Sequence, residues 1–343
     1  ILPVFGVIGL AYMMYLKAWV QKQDAGDDKM KKLAGYIKEG AMAFLKAEYK
    51  LLKRLVLFGD VQYRRVSYSA DGIDNDQQTI FEDVDYNFIN PKAGLTVLLG
   101  KKMKSQLYTS FAMANREPTR NDFIDNDEAP KAENMIDIEL GFRHKDKKLS
   151  YGVNAFYMKY KDQLVLTGEL NDVGSAVRAN VDNSFRTGLE LDFSYEPIKY
   201  IGFRGAGTWS LNEIETFTFT NYLGNPETHN KTKIAYAPGL IGNLTIFSKP
   251  FKGFEIALIN KYVSEQFLDN TNSKSKILTA YFLNDARLSY SIKPKFMNEI
   301  QFILKVNNFL NTKYATNGYV YYDTPYFYPQ AGINFEGAIN LKF

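Results

Sequence analysis

A two-residue alternation of apolar and polar side chains runs through the chain from about residue 54 to its C-terminus. In GLELDFSYE (188–196), leucine and aromatic residues alternate with acidic residues and serine, and the last segment, 333–343, repeats the pattern. This period is typical of a β-strand with one apolar and one polar face. The alternation predicts an all-β protein over 54–343, with about twelve antiparallel strands.

The lengths of the connections distinguish a soluble sandwich from a membrane barrel. Short turns such as GKKMK (100–104) and KPFKG (249–253) alternate with long polar segments. Short turns on one side and long loops on the other are typical of bacterial outer-membrane barrels, in which every backbone group is paired within the sheet. We therefore predict a transmembrane β-barrel whose C-terminus lies on the short-turn, periplasmic side. The predicted long loops lie near 68–86, 114–133, 162–183, 212–236, 265–276 and 310–332.

Composition agrees with this prediction and excludes other classes. The chain has 24 Tyr and 25 Phe but 2 Trp, and transmembrane barrels carry girdles of aromatic residues at the membrane interface. The absence of cysteine excludes disulfides, thiolate catalysis and cysteine-bound zinc. With 42 basic and 38 acidic residues, the charge is too balanced to indicate a nucleic-acid partner.

The first 50 residues follow a different pattern. Ile1–Leu16 contains no charged residue, and the apolar run continues to Val20, which is about the length of one membrane-spanning helix. A signal peptide is the alternative, although no basic segment precedes the run. Apolar residues then recur at helical spacing between Met30 and Leu45, which predicts a second, amphipathic helix.

The segment KQDAGDDKMKKLAGYIKEGAMAFLKAEYK (22–50) resembles the start of the membrane-bound, ion-pumping pyrophosphatases. The resemblance covers residues 1–50. It implies pyrophosphate hydrolysis by clustered Asp and Lys residues on later helices, which hold magnesium and phosphate. No such cluster follows Lys50, so we predict no pyrophosphatase activity.

Several motifs in 54–343 resemble TonB-dependent receptors. They include SFAMANREPTRNDF (110–123), NVDNSFRTGLELDFSY (180–195), KVNNFLNTKYATNGYVY (305–321) and the final YPQAGINFEGAINLKF (328–343). The resemblance implies uptake of a scarce ligand, such as a metal chelate, vitamin or glycan, through a plugged barrel. TonB would supply the energy by contacting the plug.

The number of strands departs from the receptor pattern. Receptors of this kind have 22 strands around a plug, whereas about twelve strands and no plug are readable here. We therefore interpret 54–343 as the C-terminal portion of a larger outer-membrane barrel, joined near 50–54 to a segment that resembles an inner-membrane protein. The alternatives are a self-contained twelve-strand pore and an ion-pumping pyrophosphatase. The expected partners are membrane lipid, a small ligand and, only through a plug absent from this chain, TonB; no cofactor and no enzymatic activity are expected.

Candidate ligand-binding residues are Arg116, Glu117 and Arg120 in NREPTRND, where a predicted strand enters an external loop. They could contact a ligand or fix the geometry of the loop. Both histidines, His144 and His229, are interpreted as solvated surface residues. The acidic loops at 71–78 and 122–128 lack the glutamate that closes an EF-hand, so we predict no metal site.

Overall fold

The computed structural model describes residues 43–73, 79–124, 129–171, 174–220, 225–321 and 323–343. The predicted membrane helix at 1–20 and most of the predicted amphipathic helix lie outside these residues. In the part that is described, no helix has the length and hydropathy needed to cross a membrane. A short helix, α1 (Arg120–Ile124), lies after one of the strands.

An antiparallel sheet contains most of the described residues. Its strands follow one another in chain order with three interruptions: β9 joins β8 at the side, and two small hairpins, β12–β13 and β16–β17, form separate two-stranded sheets. The all-β fold class is thereby confirmed. The strands are β1 (Ala43–Leu52), β2 (Leu55–Ile73), β3 (Thr79–Leu99), β4 (Ser105–Arg116), β5 (Glu133–Lys145), β6 (Leu149–Leu170), β7 (Ala176–Ile198), β8 (Ile201–Thr220), β9 (Pro226–Lys233), β10 (Leu240–Ser248), β11 (Phe254–Val263), β12 (Gln266–Phe267), β13 (Ile277–Leu278), β14 (Tyr281–Ile292), β15 (Glu299–Asn307), β16 (Ala315–Tyr321), β17 (Thr324–Pro329) and β18 (Asn334–Lys342).

The large sheet is open at both ends. Among the described residues, β1 pairs with β2 alone and β18 pairs with β15 alone. Each end strand therefore has one edge of backbone N–H and C=O groups that this sheet does not pair. In hydrocarbon each unpaired group costs several kcal/mol, so a closed barrel needs further strands at these two edges or a change of curvature.

The sheet begins eleven residues earlier than predicted, because Ala43 rather than Arg54 opens it. Residues 43–50 were predicted as the end of a helix, but they form a strand whose Leu45 lies opposite Val61 of β2. The sequence there is ambiguous, since Leu45, Ala47 and Tyr49 also alternate with charged residues. Pairing with β2 along almost the whole strand favours the extended form.

Three of the predicted long loops are largely strands of the large sheet. The β2–β3 pair continues to Ile73 opposite Thr79, and the β6–β7 pair continues to Leu170 opposite Ala176. The third, 212–236, contains the end of β8 and all of β9. These extensions reach beyond the apolar band, where both strand faces can be polar, so the two-residue alternation disappears although the backbone remains paired.

The two faces of the sheet differ in polarity as predicted. One face carries an exposed apolar band, in which Leu191 lies between Val153 and Gly207 on the neighbouring strands. The other face carries polar residues, such as Glu190 beside Asn154, whose side-chain amide donates a hydrogen bond to it. In the last strand, Ile339 lies opposite Phe302 in the apolar band, whereas Asn340 donates to Gln301 on the polar face. The band is the face that lipid would cover.

Six short turns form one end of the sheet, which we call the short-turn rim. They comprise residues 53–54, 100–104, 146–148, 199–200, 249–253 and 293–298. Their one acidic residue is Asp146. Their twelve basic residues are Lys53, Arg54, Lys101, Lys102, Lys104, Lys147, Lys148, Lys199, Lys249, Lys252, Lys293 and Lys295.

Two clusters of buried apolar residues lie at the opposite, long-loop end. One cluster is formed by residues of β6 to β9 and the segment that follows: Val165, Val181, Ile214, Phe217 and Ile234. A second cluster joins the two small hairpins through Leu268, Leu278 and Val320. The long-loop end is therefore a packed layer that can hold a binding site in place.

Candidate functional site

A cavity of about 460 Å³ lies at the long-loop end of the sheet. Its walls come from the end of β6, from the segment after β9, and from both small hairpins. This volume falls within the range of small-molecule sites, about 300–1,000 Å³. The lining residues are Leu166, Gly168, Glu169, Leu170, Gly174, Ala176, Tyr236, Gln266, Thr316, Asn317, Gly318, Tyr319 and Tyr328.

The hairpin β16–β17 closes one side of the cavity by crossing to a distant strand. In the chain it lies between β15 and β18, yet β16 contacts β6. Between β6 and β15 the sheet order contains β7, β8, β10, β11 and β14, a separation of roughly 29 Å at about 4.8 Å per strand. The hairpin therefore bridges the mouth of the curved sheet, where a ligand entering from the long-loop side would meet it.

Two side chains, one partly buried and one fully buried, fix the segments around the cavity. The Tyr236 hydroxyl donates to the Gly318 carbonyl at 3.0 Å, which joins the segment after β9 to β16. Burial, with a smaller contribution from Asp269, raises the pKa of Tyr236 to about 12, so the hydroxyl stays a donor at neutral pH. Asn270 is fully buried, and its side-chain amide donates to the Leu166 carbonyl and accepts from the Ala235 N–H.

An ion cluster beside the cavity connects the two small hairpins. Lys276 Nζ lies 2.8 Å from Asp269 Oδ2 and 2.5 Å from Asp323 Oδ1, and its side chain is 8% exposed. Burial alone lowers the pKa of Lys276, but hydrogen bonds to the two carboxyl groups outweigh this effect and raise it. The lysine is therefore charged and held by two carboxylates, which couples the β12–β13 segment to the turn of β16–β17.

The cavity wall is aromatic and polar, with one acidic group. Tyr319 stacks on Tyr326, with the ring centroids 5.2 Å apart, and contacts Tyr328 at 5.7 Å. Glu169 is the charged residue among those that line the cavity. Burial by the surrounding segments raises the pKa of its carboxyl group, while Lys276 opposes the rise and Asp269 adds to it. Such a wall can stack on a flat or ring-bearing ligand and accept hydrogen bonds from it.

The three residues predicted to bind ligand lie elsewhere at the same end. Arg116 ends β4, where one guanidinium nitrogen lies 3.2 Å from Glu133 Oε2. Glu117 pairs with Arg64 at 2.5 Å, and that guanidinium also lies over the Phe88 ring. Arg120 is exposed at the start of α1, and no ion pair to it is found in the described part of the chain. None of the three lines the cavity.

The cavity residues carried little signal in the sequence. The tyrosines of GYVYYDTPYFYP (318–329) were read as part of a long loop, and aromatic residues are frequent throughout the chain. The clustering of tyrosine in this stretch is the available sign of a binding surface. Its partners, the end of β6 and residues 266–278, can be found only from the fold.

Neither histidine belongs to a group of metal ligands. His144 Nδ1 lies 2.8 Å from Ser105 Oγ near the short-turn rim, and His229 stacks on Phe219 with Glu227 3.5 Å away. Within the described ranges, no three or more His, Cys, Asp or Glu side chains come together to hold a metal ion. Most of the acidic loop 71–78, and the acidic residues 125–128, lie outside those ranges.

The close contact at Gly168 gives a test of the cavity wall. Gly168 has φ +96°, and a Cβ there would lie 2.5 Å from the Leu268 carbonyl oxygen. Gly174, with φ +79°, has nothing within 4 Å of its Cβ position. Both Gly→Ala changes incur the positive-φ cost of about 1–2 kcal/mol, but Gly168→Ala also pushes the β12–β13 segment away from β6.

We therefore expect Gly168→Ala to speed tryptic cleavage after Lys274 by about tenfold, since proteolysis follows the population of the opened segment. Gly174→Ala is the matched control and leaves this rate near that of the wild type. Equal rates for the two variants would contradict the described contact between Gly168 and Leu268.

Comparison with known families gives one long match. The sequence model for "TonB dependent receptor-like, beta-barrel" matches residues 18–309. It therefore covers the described sheet from β1 to β15 as well as part of the N-terminal segment.

Solved structures agree with the fold. The ferric-catecholate import receptor Fiu of E. coli K12, in its closed form, aligns with a TM-score of 0.65 at 16% identity, over 88% of this chain and 44% of that one. The siderophore receptor PiuA of Acinetobacter baumannii gives 0.68 at 16%, over 88% and 43%. The copper transporter OprC gives 0.69 at 14%, over 88% and 47%. The chain thus spans less than half the length of these receptors.

Curated relatives match over a short stretch. The putative K(+)-stimulated pyrophosphate-energized sodium pump of Clostridium tetani is 44% identical over 52 residues, which is 15% of this chain and 8% of the pump. The K(+)-insensitive pyrophosphate-energized proton pump 2 of Moorella thermoacetica is 39% identical over 57 residues, also 8% of its length. The matched length is that of the N-terminal segment that resembles this family.

Proposed function

Because the chain belongs to the TonB-dependent receptor family, we propose that it supplies part of the barrel of an outer-membrane receptor that imports a scarce metal chelate. In this proposal a plug domain fills the barrel, and TonB contacts the plug to energise transport. The observation that supports a ligand site in this chain is the tyrosine-rich cavity formed where β16–β17 bridges to β6.

The charge of the cavity favours a neutral or cationic ligand. Glu169 is the charged lining residue, and the adjacent cluster places two carboxyl groups around one ammonium group. A negatively charged complex would meet like charge at close range, whereas a neutral complex could stack on Tyr319 and Tyr328. Cationic complexes could also lie over these aromatic faces.

A metal chelate fits this site better than the other two ligand classes considered, vitamins and glycans. Three solved structures with a similar fold are described as a ferric-catecholate import receptor, a siderophore receptor and a copper transporter. The cavity volume of about 460 Å³ suits the body of one small chelate rather than an extended glycan chain.

Arg116 and Glu117 are proposed to fix the long-loop end rather than to bind the ligand. Each has a charged partner on a neighbouring strand, Glu133 for Arg116 and Arg64 for Glu117. Arg120 is exposed and remains open to a ligand that extends outside the cavity. We also propose that the segment before β1 is of an inner-membrane type and has no pump activity, since β1 already belongs to the sheet and the pumps are matched over 8% of their length.

Tyr319→Ala tests the ligand site, with Phe327→Ala as its control. Tyr319 lines the cavity, whereas Phe327 lies on the same hairpin, directly before the cavity residue Tyr328, and does not line it. Loss of one stacked ring costs about 1–3 kcal/mol by analogy with other aromatic platforms. We expect Tyr319→Ala to weaken binding of a neutral ferric trihydroxamate by about tenfold or more, while Phe327→Ala changes it little.

The measurement is equilibrium binding of the iron-radiolabelled complex to the purified full chain. If both variants bind as tightly as the wild type, the cavity is not the ligand site. If both variants lose binding equally, the loss comes from disruption of the β16–β17 hairpin and not from removal of the Tyr319 ring, and the proposed stacking on Tyr319 is wrong.

A further inference from the structure

We propose that the short-turn rim binds the headgroups of anionic phospholipids, such as phosphatidylglycerol, in the membrane leaflet around that end of the sheet. This surface is distinct from the ligand cavity, and the inference does not depend on which ligand the cavity takes. It rests on the charge of the rim, on its exposed apolar side chains and on its position below the apolar band.

The rim carries a large excess of positive charge, of which acidic side chains compensate only a small part. Each of its six turns contains Lys or Arg, whereas Asp146 is their one acidic residue. Lys104 pairs with Asp146, and Lys249 lies 3.7 Å from Glu255. Within the described ranges, no carboxylate pairs with Lys101, Lys252 or Lys295, so these exposed ammonium groups are free to bind anionic groups from outside the chain.

Several basic residues at the long-loop end form ion pairs within the fold. There, Arg64 pairs with Glu117, Lys131 with Asp162, and Lys276 with two carboxylates. The long-loop end thus neutralises many of its cations within the fold. The short-turn rim therefore differs from the long-loop end in having one acidic residue among twelve basic ones.

Exposed apolar side chains lie among the rim lysines. Phe296, beside Lys295, is 78% exposed, and Phe251, beside Lys252, is 57% exposed. A turn that faced only water would have no reason to expose such rings, whereas a ring next to a lysine suits the headgroup region of a membrane. The Phe251 ring stacks on Phe254 at 4.7 Å, which directs this turn along the outer face.

The short-turn rim also lies at the depth that lipid headgroups would occupy. Its turns directly follow the ends of the apolar band, so phosphate groups of the adjacent leaflet would reach the level of the lysines. Lys199 Nζ lies 5.6 Å from the Tyr200 ring centroid, an arrangement in which the stem lies on an apolar surface while the ammonium group reaches out.

The distribution of charge favours lipid over an acidic protein partner. A protein would cover one contiguous patch, whereas the cations occur in all six turns along the edge of the sheet. A shell of surrounding phospholipids contacts every turn, and basic residues near a membrane surface attract anionic lipids.

The test compares spin-labelled phosphatidylglycerol with spin-labelled phosphatidylcholine in bilayers that contain the full chain. We expect the motionally restricted fraction to show a preference for phosphatidylglycerol of at least about threefold. The rim variant replaces Lys101, Lys102, Lys252 and Lys295 by Gln and should reduce this preference towards one. The control variant replaces Lys161, Lys231, Lys274 and Lys313, at the long-loop end, by Gln and should retain it.

A second measurement needs no variant. Raising the salt from about 0.05 M to about 0.5 M should remove the preference of the wild type, because screening shortens the range of the attraction. Equal association of the two lipids with the wild type, or a preference that survives both the rim variant and high salt, would overturn the proposal. An acidic protein partner would then be the remaining explanation for the charge.

Discussion

Leu191→Arg will reduce the folded, membrane-inserted fraction far more than Thr208→Arg does. Leu191 lies in the middle of the apolar band of β7 and is 47% exposed on the face that lipid would cover. An arginine on the lipid face near the bilayer midplane costs about 2–4 kcal/mol. That cost lowers the equilibrium ratio of folded to unfolded chain on the order of thirtyfold or more.

Thr208 provides a matched position on the other face. It lies opposite Glu190, and Leu191 lies opposite Gly207, so the two sites differ by one residue in depth. An arginine at position 208 would point to the polar face and lie near the Glu190 carboxylate. The folded fraction of each variant is read from heat-modifiable gel mobility after refolding into lipid. Similar losses in the two variants would show that the assigned faces are wrong.

The face on which each side chain lies could be predicted, because each strand of the apolar band has one apolar face. A shift of one residue would move every side chain to the wrong face. The alternation in 333–343 predicts two faces for the last strand, and the structure places Ile339 and Asn340 on opposite faces. The short turns could be predicted in a similar way, because a few polar residues must connect neighbouring strands where the apolar band ends.

The long-loop end could not be predicted in this way. Beyond the band, strands such as the second half of β6 are held by backbone pairing and by contacts with distant loops, so their sequences show no alternation. The start of the sheet was missed for another reason, because the sequence of Ala43–Leu52 satisfies both a helical and a strand pattern. Pairing with β2 determines that this segment forms a strand, and that pairing cannot be predicted from the sequence of the segment alone.

The candidate ligand site shows the same limit. Arg116, Glu117 and Arg120 were predicted because the resemblance implies that a strand enters an external loop there, but two of them have charged partners within the fold. The cavity is made by Gly168, Tyr236 and Tyr319, whose sequence positions are far apart. Their proximity depends on a hairpin that crosses the mouth of the sheet, and no local pattern encodes that crossing.

Charge selectivity is the second large effect that we expect. The receptor should bind a neutral ferric trihydroxamate at least tenfold more tightly than a trianionic ferric tricatecholate. Two like charges 8 Å apart repel by about 2 kcal/mol at an effective dielectric constant of 20, and a trianion beside Glu169 would meet more than one such interaction. Even after screening by salt, the difference in binding free energy between the two complexes exceeds the roughly 1.4 kcal/mol that corresponds to a tenfold difference in affinity.

Glu169→Gln isolates the part of this selectivity that comes from the cavity wall. The change removes the charge of the one acidic lining residue and keeps its size. We expect the variant to narrow the ratio of the two affinities by improving binding of the trianion, with little effect on the neutral complex. An unchanged ratio would assign the selectivity to another part of the receptor.

The measurement that tests the account most directly is the equilibrium affinity of the purified full chain for these two radiolabelled complexes, at one pH and one salt concentration. The account predicts saturable binding of the neutral complex, weaker binding of the trianion by at least about tenfold, and a smaller ratio in Glu169→Gln. Tighter binding of the trianionic complex by the wild type would contradict it.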